Sequence, residues 1–109
     1  MIQTSLWLVQ RVTAAILAVC VVVHLATIVY AVQGGLTAAE ILGRTRGNAA
    51  WLAFYCVFVL AAAIHAPIGM RAVLGEWLHW RGATRELALM VFSIFLFFVG
   101  MRAVLGVFS

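Results

Sequence analysis

Apolar residues run almost without interruption through three stretches: Val12 to Val32, Ala49 to Met70, and Leu87 to Met101, the last continuing past Arg102 to Phe108. The first two match the roughly 20 residues a helix needs to cross the hydrocarbon of a bilayer, and the third does so with its flanks. Backbone groups in lipid must be satisfied within the segment, so each stretch reads as a helix. The pattern predicts an all-α integral membrane bundle of three transmembrane helices in one domain over residues 1–109. Helix I is expected near 6–32, helix II near 49–78 and helix III near 84–108. At about 100° per residue, Gln10, Thr13, Cys20, His24 and Thr27 share a narrow arc of helix I. That arc should face protein or a cofactor, and the Val, Ile and Leu opposite should face lipid.

The connections carry their own signals. Gln33-Gly34-Gly35 ends helix I. Thr37-Ala38-Ala39-Glu40 has the form of a capping box, with Leu36 and Ile41 at the staple positions. A short interfacial helix should follow and stop near Gly43 or Gly47, with Asn48 capping helix II. Trp7 suits one interface, and Trp77, His79 and Trp80 mark the end of helix II. Gly82-Ala83-Thr84 reads as a turn with Thr84 capping helix III. The sequence GMRAVLG occurs twice, at Gly69–Gly75 and Gly100–Gly106, and only the first copy follows a histidine.

Composition narrows the class. Of the 109 residues, 67% are hydrophobic and 9% charged, too little polar surface to cover a soluble domain. The net charge of +4 is carried by scattered arginines, with no lysine, which does not make a nucleic-acid surface. Helix I is too long for the core of a cleaved signal and lacks its basic lead and small-residue cleavage pattern. Arg11, Arg71, Arg81 and Arg85 outweigh Arg44 and Arg46, which points to a cytoplasmic N-terminus and second connection. Cys20 and Cys56 both lie inside apolar runs, where cysteine packs as a small hydrophobe.

The chemistry concentrates in His65-Ala66-Pro67-Ile68-Gly69-Met70-Arg71-Ala72-Val73-Leu74-Gly75-Glu76. Histidine and arginine cost free energy in hydrocarbon, so their presence in a spanning segment points to a site. Ala61 and Gly69, one turn either side of His65, leave room for a flat group or a close helix, and Pro67 removes a helix hydrogen bond beside it. His65 is either a helix–helix hydrogen-bonding group or an axial ligand of haem iron. His24 poses the same choice. At 1.5 Å per residue the two histidines should differ in depth by about 10 Å, too far to ligate one iron. If both bind haem, they serve two haems, with the missing ligands from a partner chain. Arg71 and Arg11 either snorkel to the headgroups or pair with haem propionates or a quinone carbonyl. Glu76 either holds Arg71 in place, relays protons or is simply solvated.

The spacing His65, Gly69, Arg71, Glu76 resembles the H-x-x-x-G-x-R-x-x-x-x-D pattern of the cytochrome b membrane-anchor subunits of succinate dehydrogenase and fumarate reductase. Arg11-Val12-Thr13 is similar to the Arg-Val-Ser that opens their helix I. The likeness covers helices I and II. It implies a bacterial inner-membrane anchor with haem b and a quinone as substrate. The partners implied are a flavoprotein, an iron–sulfur subunit, and a second anchor or another copy of the chain. It implies His65 as axial ligand, Arg11 at the quinone site, and Arg71 at propionates or quinone, with Thr13 and Glu76 nearby. Glu76 stands where the family has Asp, and Trp7 stands where it has a quinone-site serine, with Thr4 and Ser5 close by. His24 resembles the second-haem histidines of two-haem anchors. Two other readings remain: a haem-free structural anchor, and a small transporter using Arg71 and Glu76.

Overall fold

The chain was analysed as a computed structural model, which describes residues 2–109 and side chains from Thr4 onward. Four helices and no strand occur among the described residues: α1 (Ile2–Gly34), α2 (Ala38–Thr45), α3 (Ala49–Trp77) and α4 (Ala83–Phe108). Three of them, α1, α3 and α4, are long and apolar enough to span a membrane, and α2 is the short helix between the first two spans. The protein is a multi-pass membrane protein. Its long dimension of 47 Å covers the roughly 30 Å of hydrocarbon together with both interfaces.

The connections follow from local chemistry. Gly35 ends α1 at φ +115, a conformation that favours glycine. Arg44 of α2 donates from Nη2 to Gly35 O at 2.8 Å, tying α2 under the end of α1. Thr37 caps α2, its Oγ1 accepting from Glu40 N–H at 3.2 Å. α2 runs through Gly43 and stops at Thr45, before Gly47 at φ +69. Asn48 caps α3 through Oδ1, which accepts from Ala50 and Trp51 N–H at 3.1 and 3.3 Å. Thr84 does not cap α4. Gly82, at φ +99, takes that place without a side-chain bond, because α4 already begins at Ala83; the Thr84 hydroxyl, inside the first turn, accepts from Trp80 Nε1–H at 3.0 Å. Thr45 Oγ1 and Gly47 N–H donate to Val107 and Phe108 O at 2.8 Å, satisfying the last carbonyls of α4.

α3 lies in the middle, with α1 on one side and α4 on another. The buried apolar residues are small or sparse: Cys20, Ala61, Ala63, Leu89 and Val104. Most large apolar side chains point outward, as they should where the solvent is lipid. The polar arc of α1 faces α3: Thr13 and Cys20 are buried, and Gln10, His24 and Thr27 are half-buried. The two GMRAVLG copies do different work. Gly100 packs so closely on α3 that a Cβ would come 2.7 Å from Val59 Cγ1, whereas Gly69 faces Gln10 of α1.

Pro67 sits inside α3 without ending it. It has no N–H to give to the carbonyl of Ala63, four residues back. Ser93 of α4 supplies the missing donor, with its Oγ 2.7 Å from Ala63 O. The one polar residue in the middle of α4 therefore answers the one proline of α3. Ser93→Ala should destabilise the bundle by about 0.6–1.7 kcal/mol, the range for interhelical hydrogen bonds in membranes. In a Pro67→Ala background, residue 67 can make its own helix bond, and the Ser93→Ala cost should shrink toward zero. A double-mutant cycle on detergent unfolding measures this, and equal costs in both backgrounds would refute the pairing.

Candidate functional site

A cavity of about 640 Å³ lies at one end of the bundle. Leu6, Trp7, Gln10 and Arg11 of α1 form one wall, and Ile68, Gly69, Arg71, Ala72, Gly75 and Glu76 of α3 form another. Arg81 and Arg85, from the second connection and the start of α4, close the outer end. The two stretches that carried the family resemblance, around Arg11 and around Gly69–Glu76, thus share one cavity.

Gly69 is small for a reason visible here: a Cβ on it would come 3.3 Å from Gln10 Nε2. Gln10 Oε1 is buried and has no hydrogen-bond partner. An orphaned buried acceptor is costly and marks a place where a donor is expected. Sequence reading had Gln10 on the polar arc without assigning it a role. Arg11 is exposed and stacks over the Trp7 ring, with Cζ 4.6 Å from the centroid. That contact holds the guanidinium at the cavity wall.

Arg71 is not held by Glu76. Its Nε donates to Glu86 Oε1 at 3.0 Å, and the same oxygen accepts from Arg85 Nη2 at 2.8 Å. Residues five apart on a helix point about 140° from one another, so Arg71 and Glu76 leave α3 on different sides. The antiparallel return of α4 brings Glu86 to Arg71 instead. The signal for this was a lone carboxylate in the first turn of helix III. Glu76 stays exposed and lines the cavity.

His65 lies on the α1-facing side of α3, one turn deeper than Gly69. Its Nδ1 is 3.2 Å from Thr13 Oγ1. Thr13 is 6% exposed, and its hydroxyl also contacts the carbonyls of Val9 at 2.8 Å and Gln10 at 3.1 Å. Thr13 is thus brought to His65, away from the cavity lining.

His24 is not brought to this place. Its Nδ1 is 3.4 Å from Tyr55 OH, and its ring meets Tyr55 and Phe58 edge-on at 5.9 and 5.7 Å. It borders two further cavities, of about 440 Å³ toward α4 and about 790 Å³ beside α2. Along α1, the levels of the two histidines are Thr13 and His24, about 16 Å apart at 1.5 Å per residue. His79, at φ +52, and the tryptophans beside it are exposed at the end of α3.

Among the described residues, no three His, Cys, Asp or Glu side chains converge. No curated protein and no solved structure matches the chain. The sequence profile of the Succinate dehydrogenase/Fumarate reductase transmembrane subunit family matches residues 1–101. That span takes in Arg11, Thr13, His65 and the whole cavity between α1 and α3, and the chain belongs to the succinate dehydrogenase/fumarate reductase transmembrane subunit family.

Proposed function

We propose that this chain is the haem b-carrying membrane anchor of a bacterial succinate:quinone oxidoreductase. It docks a flavoprotein and an iron–sulfur subunit and takes part in electron transfer between iron–sulfur clusters and a membrane quinone. One observation carries this reading. The 640 Å³ cavity unites Gln10 and Arg11 of α1 with Gly69, Arg71 and Glu76 of α3 at one end of an otherwise apolar bundle. Four arginines, Arg11, Arg71, Arg81 and Arg85, gather there, which supports that end as the cytoplasmic face and the docking side.

Each residue has work suited to its chemistry. The Arg11 guanidinium, steadied on Trp7, donates to a quinone carbonyl and stabilises the negative charge that grows on that oxygen as electrons arrive. Gln10 Oε1, without a partner, accepts from a hydroxyl once the carbonyl has taken up a proton. Glu76, open to solvent at the cavity, exchanges the protons that quinone reduction consumes. Arg71, braced by Glu86, offers positive charge to a propionate or to the quinone.

The haem reading takes its ligand from His65, one turn from Ala61 and Gly69, and its propionate partners from the arginines of the cavity. His65 itself lies beside Thr13, outside the cavity lining. Bound there, haem supplies a one-electron centre between the clusters and quinone. Its second axial ligand would come from a second anchor or another copy of this chain.

A haem-free structural anchor is the second reading, favoured by the interhelical partners of both histidines, Thr13 and Tyr55. Haem b measured against flavin in the purified complex decides between them. Wild-type complex should show haem b in a reduced-minus-oxidised spectrum, and His65→Ala should lose it while keeping the flavin. Full haem in His65→Ala would refute His65 as ligand, and a wild-type complex with no haem b would refute the haem reading. Two haems per flavin, with one lost in His24→Ala, would assign His24 to a second haem.

Arg11→Ala should raise the KM for a soluble quinone roughly ten- to hundredfold, the worth of a lost charged hydrogen bond. Succinate oxidation by an artificial dye acting ahead of the membrane subunit should stay at the wild-type rate. A parallel loss of both activities would make Arg11 a docking residue and not a quinone contact.

A further inference from the structure

GMRAVLG occurs in α3 and again in α4, and α3 shows what it does. At about 100° per residue, the arginine leaves the helix about 160° from the first glycine, and the last glycine lies within about 40° of the arginine. In α3 the first glycine, Gly69, packs on Gln10 of α1, and the side with Arg71 and Gly75 turns to the start of α4. There Arg71 Nε donates to Glu86 Oε1 at 3.0 Å, and a Cβ on Gly75 would come 3.2 Å from Arg85 Nη1. The motif serves two neighbours, one through a glycine and the other through an arginine with a glycine beside it.

In α4 the first glycine again has its neighbour: Gly100 packs on Val59 of α3, and Arg102 and Gly106 turn the other way. Arg102 is exposed, with no hydrogen bond or ion pair among the described residues, and a Cβ on Gly106 would meet nothing within 4 Å. Val91, Phe95 and Phe98 extend this side of α4 at the three- and four-residue spacing of a helix–helix seam, and they are 59, 60 and 63% exposed. Arg102 lies six residues before Phe108, about 9 Å inside the end of a spanning helix. A charge inside a span is costly unless it is paired. Helical side chains lean toward the N-terminus, which for Arg102 is toward the bilayer centre and away from the nearer headgroups. Gly106 weakens the helix relative to alanine, and what a glycine gives in return in a membrane is close approach by another helix.

We propose that the side of α4 bearing Phe98, Arg102 and Gly106 docks a transmembrane helix of a different chain, whose carboxylate pairs with Arg102 as Glu86 pairs with Arg71. A second copy of this chain does not supply that group. Its acids are Glu40, Glu76 and Glu86. Glu76 and Glu86 stand at the opposite end of the bundle, and the Glu40 carboxylate lies over Gly35 on the short helix α2. Neither haem nor quinone enters this contact.

The experiment uses the whole complex, with Phe98 replaced by the photo-crosslinker p-benzoylphenylalanine and irradiated in the membrane. Sequencing of the cross-linked peptides should join position 98 to a spanning segment of a second, different chain that carries Asp or Glu level with Arg102. Arg102→Ala should weaken retention of that chain in a detergent titration roughly thirtyfold, as for the loss of one partner of a desolvated charge pair. Arg102→Lys should retain it better than Arg102→Ala. Arg102→Glu should release it, and replacing the partner's carboxylate with arginine in the same complex should restore it. Cross-links to phospholipid alone, or to another copy of this chain, would overturn the proposal. So would an Arg102→Ala complex that holds the second chain as tightly as wild type, or a charge exchange that restores nothing.

Discussion

A backbone carbonyl in hydrocarbon has no water to turn to, and that constraint governs this bundle. Pro67 breaks the hydrogen-bond ladder of α3 two residues past His65, leaving Ala63 O without its helical donor. The repair comes from another helix, through Ser93 Oγ at 2.7 Å. It sets the depth of α4 against α3, because the serine must sit level with the freed carbonyl. Gly100, two turns further along α4, meets Val59 one turn back on α3, so both contacts hold the same antiparallel register. That register also brings Glu86 to Arg71 at the cavity end.

α3 thus serves two neighbours with different parts of its surface. Toward α4 it offers Val59, Ala63 and Arg71, which hold the bundle together. Toward α1 it offers Tyr55, His65 and Gly69, each meeting a polar residue of the α1 arc. A small chain has few helices over which to divide these tasks. Placing the two sets on separate sides of one central helix lets the polar side be shaped by chemistry while the other side supplies rigidity. The buried residues are mostly small, consistent with helices held by close backbone approach and a few hydrogen bonds in place of a hydrophobic core.

The cavity end shows how charge is managed where the membrane meets water. Glu86 is shared by Arg71 and Arg85, and Arg81 donates from Nη2 to Gly75 O at 3.3 Å. Arg11 rests on Trp7. Exposed ion pairs of this kind add little to stability, and their effect is to fix where the guanidiniums stand. A site for a polar ligand at the edge of a bilayer needs that order more than it needs energy.

The three spans, the α2 helix and its Thr37 cap, the Asn48 cap and the polar face of α1 were legible in the sequence. They depend on hydrophobic length, a 3.6-residue period and local capping, all properties of neighbouring residues. That Arg11 and Arg71 lie at one membrane end followed from the charge pattern, and their place in one site was legible through resemblance to a family. Four features waited for the tertiary structure: Glu86 as the partner of Arg71, Ser93 as the donor for Ala63, Thr13 beside His65, and the orphaned oxygen of Gln10. Each depends on which residue of one helix comes level with which residue of another. That register is set by small-residue packing and by connection length across the whole bundle, and no local pattern in the chain records it.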